Sequence, residues 1–152
     1  MARVFSLLLA GLMVLAACGA PTSNSGALGA DGLPLPKVYR IRNASKVQFR
    51  MLDSVNSLRS AAGAPPVQLN AQLNAAAATH SRDMSNQNRP WHFGSDGSSP
   101  IDRVQRAGYP GTMLGEVISE TYETELETLA AWMDGPGTRD VLLENRAVSM
   151  GF

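Results

Sequence analysis

Between positions 45 and 66, Val47, Met51, Leu52, Val55 and Leu58 recur at helical spacing until Gly63 and Pro65-Pro66 interrupt them. Apolar groups three and four positions apart lie on one side of an α-helix, so this stretch carries a face that must be buried. Glycine tolerates the left-handed turn after a helix, and prolines lack the N–H that would continue it. An early helix in need of a covering surface is therefore the strongest constraint on the fold.

The pattern continues in the same idiom. Asn70 is placed to cap a second helix, in which Leu73, Ala77, His80 and Met84 form one stripe and Ala75 to Ala78 favour helix by propensity. Ser99 followed by Pro100 predicts a third, shorter helix with Ile101 and Val104 inward, ending at Gly108. Thr124 and Glu127 make a capping box ahead of a fourth, with Leu126, Leu129, Ala130 and Met133 inward and Gly135-Pro136 closing it. Strands are expected at Val38 to Ile41, at Met113 to Ser119 around Val117-Ile118, and in the tail from Ala147 to Phe152.

The N-terminus reads as an export signal. Met1-Ala2-Arg3 is a positive start, and Val4 to Ala17 is an apolar run too short to span a bilayer comfortably. Leu15-Ala16-Ala17-Cys18 resembles the lipobox of bacterial lipoproteins, which implies removal of residues 1–17 and lipidation of Cys18. Each buried methylene contributes about 0.8 kcal/mol, so several acyl chains would hold the protein on a membrane permanently. Residues 18–36, rich in Gly, Pro, Ser and Ala, have the composition of a flexible tether, leaving 37–152 as the domain. Gly19 after Cys18 suggests sorting to the outer membrane if the source is Gram-negative.

Cys18 is the only cysteine, so no internal disulfide is available and the fold must hold by packing. What remains after the signal suffices for one core and not for two. Thirteen basic residues balance thirteen acidic ones, which argues against nucleic acid as a partner.

Two histidines limit the chemistry. His80 sits on the apolar stripe of the second helix and reads as a hydrogen-bonded core histidine. His92, between Trp91 and Phe93 and ahead of Gly94 and Gly97, lies outside any periodic segment; it is either a working group on a loop or a ring anchoring that loop. Glu116 is either an edge charge or a buried carboxylate with a partner, for which a histidine opposite would serve. Glu120, Glu123, Glu125 and Glu127 read as a solvated face at a helix start. There is no Gly-x-Ser-x-Gly elbow, His-Glu-x-x-His pair or phosphate-binding Gly-Lys-Ser/Thr loop.

The order His80-Ser81-Arg82-Asp83-Met84, Trp91-His92-Phe93-Gly94-Ser95-Asp96-Gly97, Ser99-Pro100-Ile101-Asp102-Arg103, Ala107-Gly108-Tyr109, Gly115-Glu116-Val117 and Ala130 to Arg139 resembles the bacterial branch of the CAP superfamily, whose modules are also called SCP domains. The resemblance covers about residues 48 to 152 and implies an α+β fold, an α-β-α sandwich with helices flanking a small, mainly antiparallel sheet. On that pattern one or two more strands are expected after Phe152, so the last strands would be missing here.

The resemblance also implies a cleft with two histidines and two acids, proposed in the family to hold a divalent metal, and lipid binding in some relatives. His92 matches the first histidine, and Glu116 the glutamate of Gly-Glu-Asn. Thr138 stands where relatives carry the second histidine, and the second acid, near Asp134-Gly135, is not clearly kept.

The resulting expectation is a lipid-anchored, exported envelope protein without catalytic activity. It would bind a small amphiphile or surface partner in a cleft formed by His92, Glu116 and Thr138, with no cofactor required. The alternative is a peptidase-like hydrolase, with His92 as general base, Glu116 orienting it, and Zn or Ca as the metal that His92 and Glu116 would help to hold. A purely structural envelope role is the third reading.

Overall fold

A computed structural model describes residues 41–152. The lipobox with Cys18, the signal at 1–17, the tether at 18–36 and most of the strand expected at Val38 to Ile41 lie outside the described residues. Ile41 itself is in no regular element.

Helix α1 spans Ala44–Ala61, its first turn closed by the Asn43 side chain accepting from the Lys46 N–H at 2.9 Å. Gly63 follows at φ 76, the left-handed geometry that a residue with a Cβ resists. Met51 and Val55 are buried, and with Val67 and Leu129 they form the core cluster. Burying each such side chain is worth about 1.5–3 kcal/mol. Leu52, Leu58, Trp132, Met150 and Phe152 pack against the cluster while staying partly exposed.

Helix α2 spans Ala71–Gln87, capped by Asn70 and ended by Asn88 in the left-handed conformation. Helix α3 spans Pro100–Arg106, with Ser99 and Asp102 forming a reciprocal capping box. Helix α4 spans Glu125–Asp134, with the Thr124–Glu127 box in place. These caps stand where the sequence puts them. The inward faces are narrower than expected: in α3 Val104 is buried but Ile101 is exposed, and in α4 Leu129 is buried while Leu126 and Ala130 face outward. Helices of seven and ten residues bury one apolar side chain each, Val104 and Leu129.

Helix α5, Pro136–Leu142, was not anticipated. Gly135 ends α4 and begins α5, so the Gly-Pro pair that closes one helix also opens the next.

The sheet corrects the expected topology. Among the described residues it consists of β1, Gln68–Leu69, and β2, Ser149–Met150, paired in parallel with Gln68 opposite Ser149 and Leu69 opposite Met150. Nearly the whole domain separates the two, and α2 to α5 provide the long crossover that a parallel pair needs. β1 itself was not foreseen. β2 lies in the tail expected to be extended, with Phe152 held on both sides. Its N–H donates to Asn74 Oδ1 at 3.1 Å, and its carbonyl accepts from Gln48 Nε2 at 2.6 Å.

Met113 to Ser119 forms no strand. No other strand lies alongside it among the described residues; instead the Ile118 carbonyl accepts from Trp132 Nε1 at 3.2 Å, and Gly115 packs against Val141. This segment is an irregular wall laid over α4 and α5.

α1 packs on α4 and α4 on α5, while α2 contacts α3 and β2. One buried cation ties these parts together. Arg59, 1% exposed, donates to the carbonyls of Pro65, Leu142, Glu144 and Ala147 at 2.7–3.2 Å. Burial pushes its guanidinium below its ordinary value, opposed by the nearby Glu144 charge.

Candidate functional site

The loop from Trp91 to Ser98 is built by its own polar groups. Gly94 N–H donates to Ser98 O at 2.8 Å, and Gly97, at φ 78, donates to Gly94 O at 2.9 Å. Asp83 on α2 accepts from the Ser95 N–H at 2.7 Å, and Asp96 accepts from the Ser98 N–H at 2.9 Å and from Arg106 at 2.6 Å. Hydrogen bonds from Ser95 hold the Asp83 carboxyl below its usual range. Those from Ser98, with Arg106 adding to them, do the same more strongly for Asp96. A Cβ on Gly94 would meet the Ser98 hydroxyl at 2.6 Å and Asp96 Oδ1 at 2.7 Å, so those two side chains would have to shift to admit it.

His80 fastens the loop from below. It is 2% exposed; its Nε2 donates to the Trp91 carbonyl at 2.9 Å, while its buried Nδ1 has no partner among the described residues. Above, Arg89 lies over the Trp91 ring at 3.6 Å, and Trp91 meets Phe93 at 5.8 Å between centroids. The aromatic rings flanking His92 thus pack with each other and with Arg89, leaving the imidazole itself half exposed.

His92 and Glu116 come together. His92 Nδ1 donates to Glu116 Oε1 at 2.9 Å across 24 positions of sequence. That bond fixes the proton on Nδ1 in the neutral ring and leaves Nε2 with its lone pair. Glu116 is therefore the partnered carboxylate and not the edge charge.

Arg103 supplies the second partner, a role that sequence reasoning missed. Its Nη2 donates to both Glu116 oxygens at 2.9 and 2.8 Å, while Nη1 donates to the carbonyls of His92 at 2.8 Å and Ser98 at 3.3 Å. The residue is 9% exposed. One guanidinium thus joins the loop bearing the imidazole to the segment bearing the acid. The available signal was an arginine placed in the short helix directly after the loop, within the quoted Ser99 to Arg103 motif.

Thr138 has another use. Its hydroxyl shares its one proton between the carbonyls of Trp132 at 2.5 Å and Gly135 at 3.0 Å, closing the α4–α5 corner. The acidic run at the start of α4 is also not uniformly solvated. Glu120, Glu123 and Glu127 are exposed as expected, Glu127 also completing the cap, whereas Glu125 is nearly buried and pairs with Arg50.

Glu116 borders an apolar groove of about 790 Å³ between α1, α2, β2 and the 111–124 segment. Val47, Leu73, Val117, Trp132, Met150 and Phe152 are among the groups that line it; neither His92 nor Thr138 is.

The tetrad that the resemblance implies does not fit a divalent ion here. Both Glu116 oxygens already accept from Arg103, Thr138 offers a hydroxyl bound to carbonyls, and no three His, Cys, Asp or Glu side chains converge among the described residues. A hydroxyl is a weak ligand beside an imidazole, and a catalytic zinc normally takes three protein ligands.

Comparison with known proteins agrees with this architecture. The chain is 27% identical over 109 residues to the uncharacterized protein YkwD of Bacillus subtilis (strain 168), a match covering 72% of this chain and 42% of that protein. An extracellular protein containing an SCP domain from Bacillus anthracis str. Ames superposes with TM-score 0.65 at 23% identity, covering 74% of this chain and 40% of that one. An outer surface protein from Borrelia burgdorferi gives TM-score 0.67 at 14% identity, covering 76% of this chain and 84% of that one. The chain therefore spans about two fifths of the length of the two Bacillus proteins, and at these identities the solved structures speak for the fold. Residues 52–152 match the family model described as the cysteine-rich secretory protein family, CAP, and the chain belongs to that family.

Proposed function

We propose that this chain is an exported, lipid-anchored CAP-domain protein of the cell envelope that binds a small amphiphilic ligand in the groove bordered by Glu116, without catalysing a reaction on it. The observation that carries this reading is the groove itself. It has the size of a small-molecule site, its walls are mainly apolar, and a fixed polar cluster stands at its margin. An amphiphile would place its apolar body against Val47, Trp132 and Phe152 and its head near Glu116 and the adjacent His92. A surface partner inserting an apolar side chain would use the same features. Extracellular and outer-surface relatives are consistent with export, and the lipobox at Cys18 supplies the anchor.

The test is a thermal-shift screen of the domain purified without its lipid, against envelope lipids and glycans. A rise in melting temperature with an amphiphile, reduced by a Val117→Glu change in the groove wall, is the expected result. A flat response to every class would refute the reading.

A second reading is favoured by one contact. The His92 Nδ1 bond to Glu116 leaves Nε2 available as a general base, the arrangement of an imidazole oriented by a carboxylate. Hydrolysis of a peptide or ester panel that is lost in His92→Ala would establish it. Activity unaffected by that change would remove it.

A further inference from the structure

We propose that Arg103 is a positioning residue that holds Glu116 as half of a closed ion pair, making the His92–Glu116 site inherently selective against divalent cations. Four observations converge on this. Arg103 Nη2 reaches both carboxylate oxygens, at 2.9 and 2.8 Å, so a metal at either oxygen must compete with an existing charged hydrogen bond. The guanidinium is nearly buried and also donates to the His92 and Ser98 carbonyls, so it cannot swing aside without releasing the loop that carries the imidazole. Its fixed positive charge lies beside the place a cation would occupy. His92 Nδ1 spends its proton on Oε1, leaving only Nε2 to offer a lone pair.

The charge count gives the consequence. Glu116 and Arg103 cancel, so the site is neutral when His92 is neutral and carries one positive charge when His92 is protonated. In the neutral form Nε2 accepts from a hydrogen-bond donor, and in the protonated form the site repels cations and donates to an anion. This holds whatever occupies the groove, because it concerns the pair and its arginine alone.

Thr138 provides the means of testing it. Gly115, next to Glu116, packs against Val141, one turn beyond Thr138 on α5, so a histidine at 138 is introduced on the helix already touching the acid's segment. Zn²⁺ is titrated into the parent, Arg103→Gln, Thr138→His and the double variant, with heat and the His92 ring resonances as readouts and circular dichroism verifying folding. The parent and Thr138→His should bind weakly and alike, within about threefold. The double variant should bind at least about tenfold more tightly than Thr138→His, the scale by which groups around a metal's ligands alter affinity. A gain of metal binding on removing a buried arginine is not what lost packing alone would produce.

Micromolar Zn²⁺ binding by the parent through His92 and Glu116 would overturn the proposal. Equal affinity in Thr138→His and the double variant would also overturn it. Thr138→His retains Arg103, so tight zinc binding by that variant would refute the claim even if Arg103→Gln did not fold.

Discussion

Replacing Arg59 by leucine is the most severe single-residue test of how this domain holds together. The side chain is 1% exposed and makes four hydrogen bonds, to Pro65, Leu142, Glu144 and Ala147, linking the end of α1 to the turn before β1 and to the chain leading from α5 into β2. A hydrogen bond to a charged group is worth about 1.5–3 kcal/mol net, so four give a gross term of roughly 6–12 kcal/mol. The desolvation cost of the guanidinium, which leucine does not incur, and re-entry of water at the carbonyls offset part of this. We expect a net loss of about 3–5 kcal/mol, because the four carbonyls lose their donor and each one left buried and unsatisfied costs about 1–3 kcal/mol. Since small domains are stable by only about 5–15 kcal/mol, that is a large share of the total. Urea unfolding followed by circular dichroism checks it: at a slope of about 1–3 kcal/mol/M the midpoint should fall by about 2 M with the slope unchanged. Arg59→Lys, with three donors on one nitrogen and no planar fork, should recover at most about half of the loss. A leucine variant within about 1 kcal/mol of the parent would refute the assignment of Arg59 as the tie between these elements.

Three further outcomes are expected. Gly151→Ala places a methyl group against the backbone of Leu73 and Asn74, which cannot give way as a flexible side chain would; a loss of about 1–3 kcal/mol in urea unfolding is expected, and a neutral result would mean that β2 moves freely on α2. Asp83, Asp96 and Asp102 are held below the ordinary carboxyl value by Ser95, Ser98 and Ser99 respectively, and Glu144 is drawn down to about 2 by Arg146. Depressed folded-state values contribute stability that is complete above the unfolded values near about 4 and is lost as pH falls through the folded ones, so the urea midpoint should decline below about pH 4; Asp96→Asn should flatten that decline, and an unchanged profile would refute the link. Gly94→Ala should disturb the His92 resonances more than those of α1, because its Cβ meets Ser98 and Asp96 within the loop; an undisturbed His92 signal would show the turn to be less tightly closed than its bonds imply.

The first four helices were legible because their signals are local, whereas α5 was hidden behind the Gly-Pro pair that closes α4. Asn70, Ser99 and Thr124 cap where their side chains can reach the first turn, and Gly63 stops α1 where a left-handed residue is needed. The tail strand was legible but its pairing was not, because pairing Gln68 with Ser149 depends on a crossover that no local pattern encodes. Val117-Ile118 has strand-like composition, yet composition cannot supply a neighbouring strand, and the segment instead docks through Ile118 and Gly115. The same division runs through the site. His92 stood out by lying in a glycine-rich loop, and a histidine was named as the partner that a buried Glu116 would need. Arg103 carried no separate signal, because its importance lies in reaching four acceptors on two distant segments at once.

That arrangement also explains why the imidazole is half exposed while its surroundings are rigid. His80 holds the Trp91 carbonyl, Asp83 the Ser95 N–H, and Arg103 the His92 carbonyl, so the backbone on both sides of the ring is fixed by buried or partly buried groups from α2 and α3. Each fastening acts on the backbone, leaving the ring itself to hydrogen-bond Glu116 through Nδ1. A group fixed this way loses little conformational entropy when it binds, which favours recognition of a ligand by a single well-placed hydrogen bond. The chemistry available at Nε2 depends on whether Glu116 remains committed to Arg103. With the ion pair closed, Nε2 is a neutral acceptor or, once protonated, a donor to an anion, and on the proposed reading the groove bordered by Glu116 would add the apolar contact that one hydrogen bond cannot.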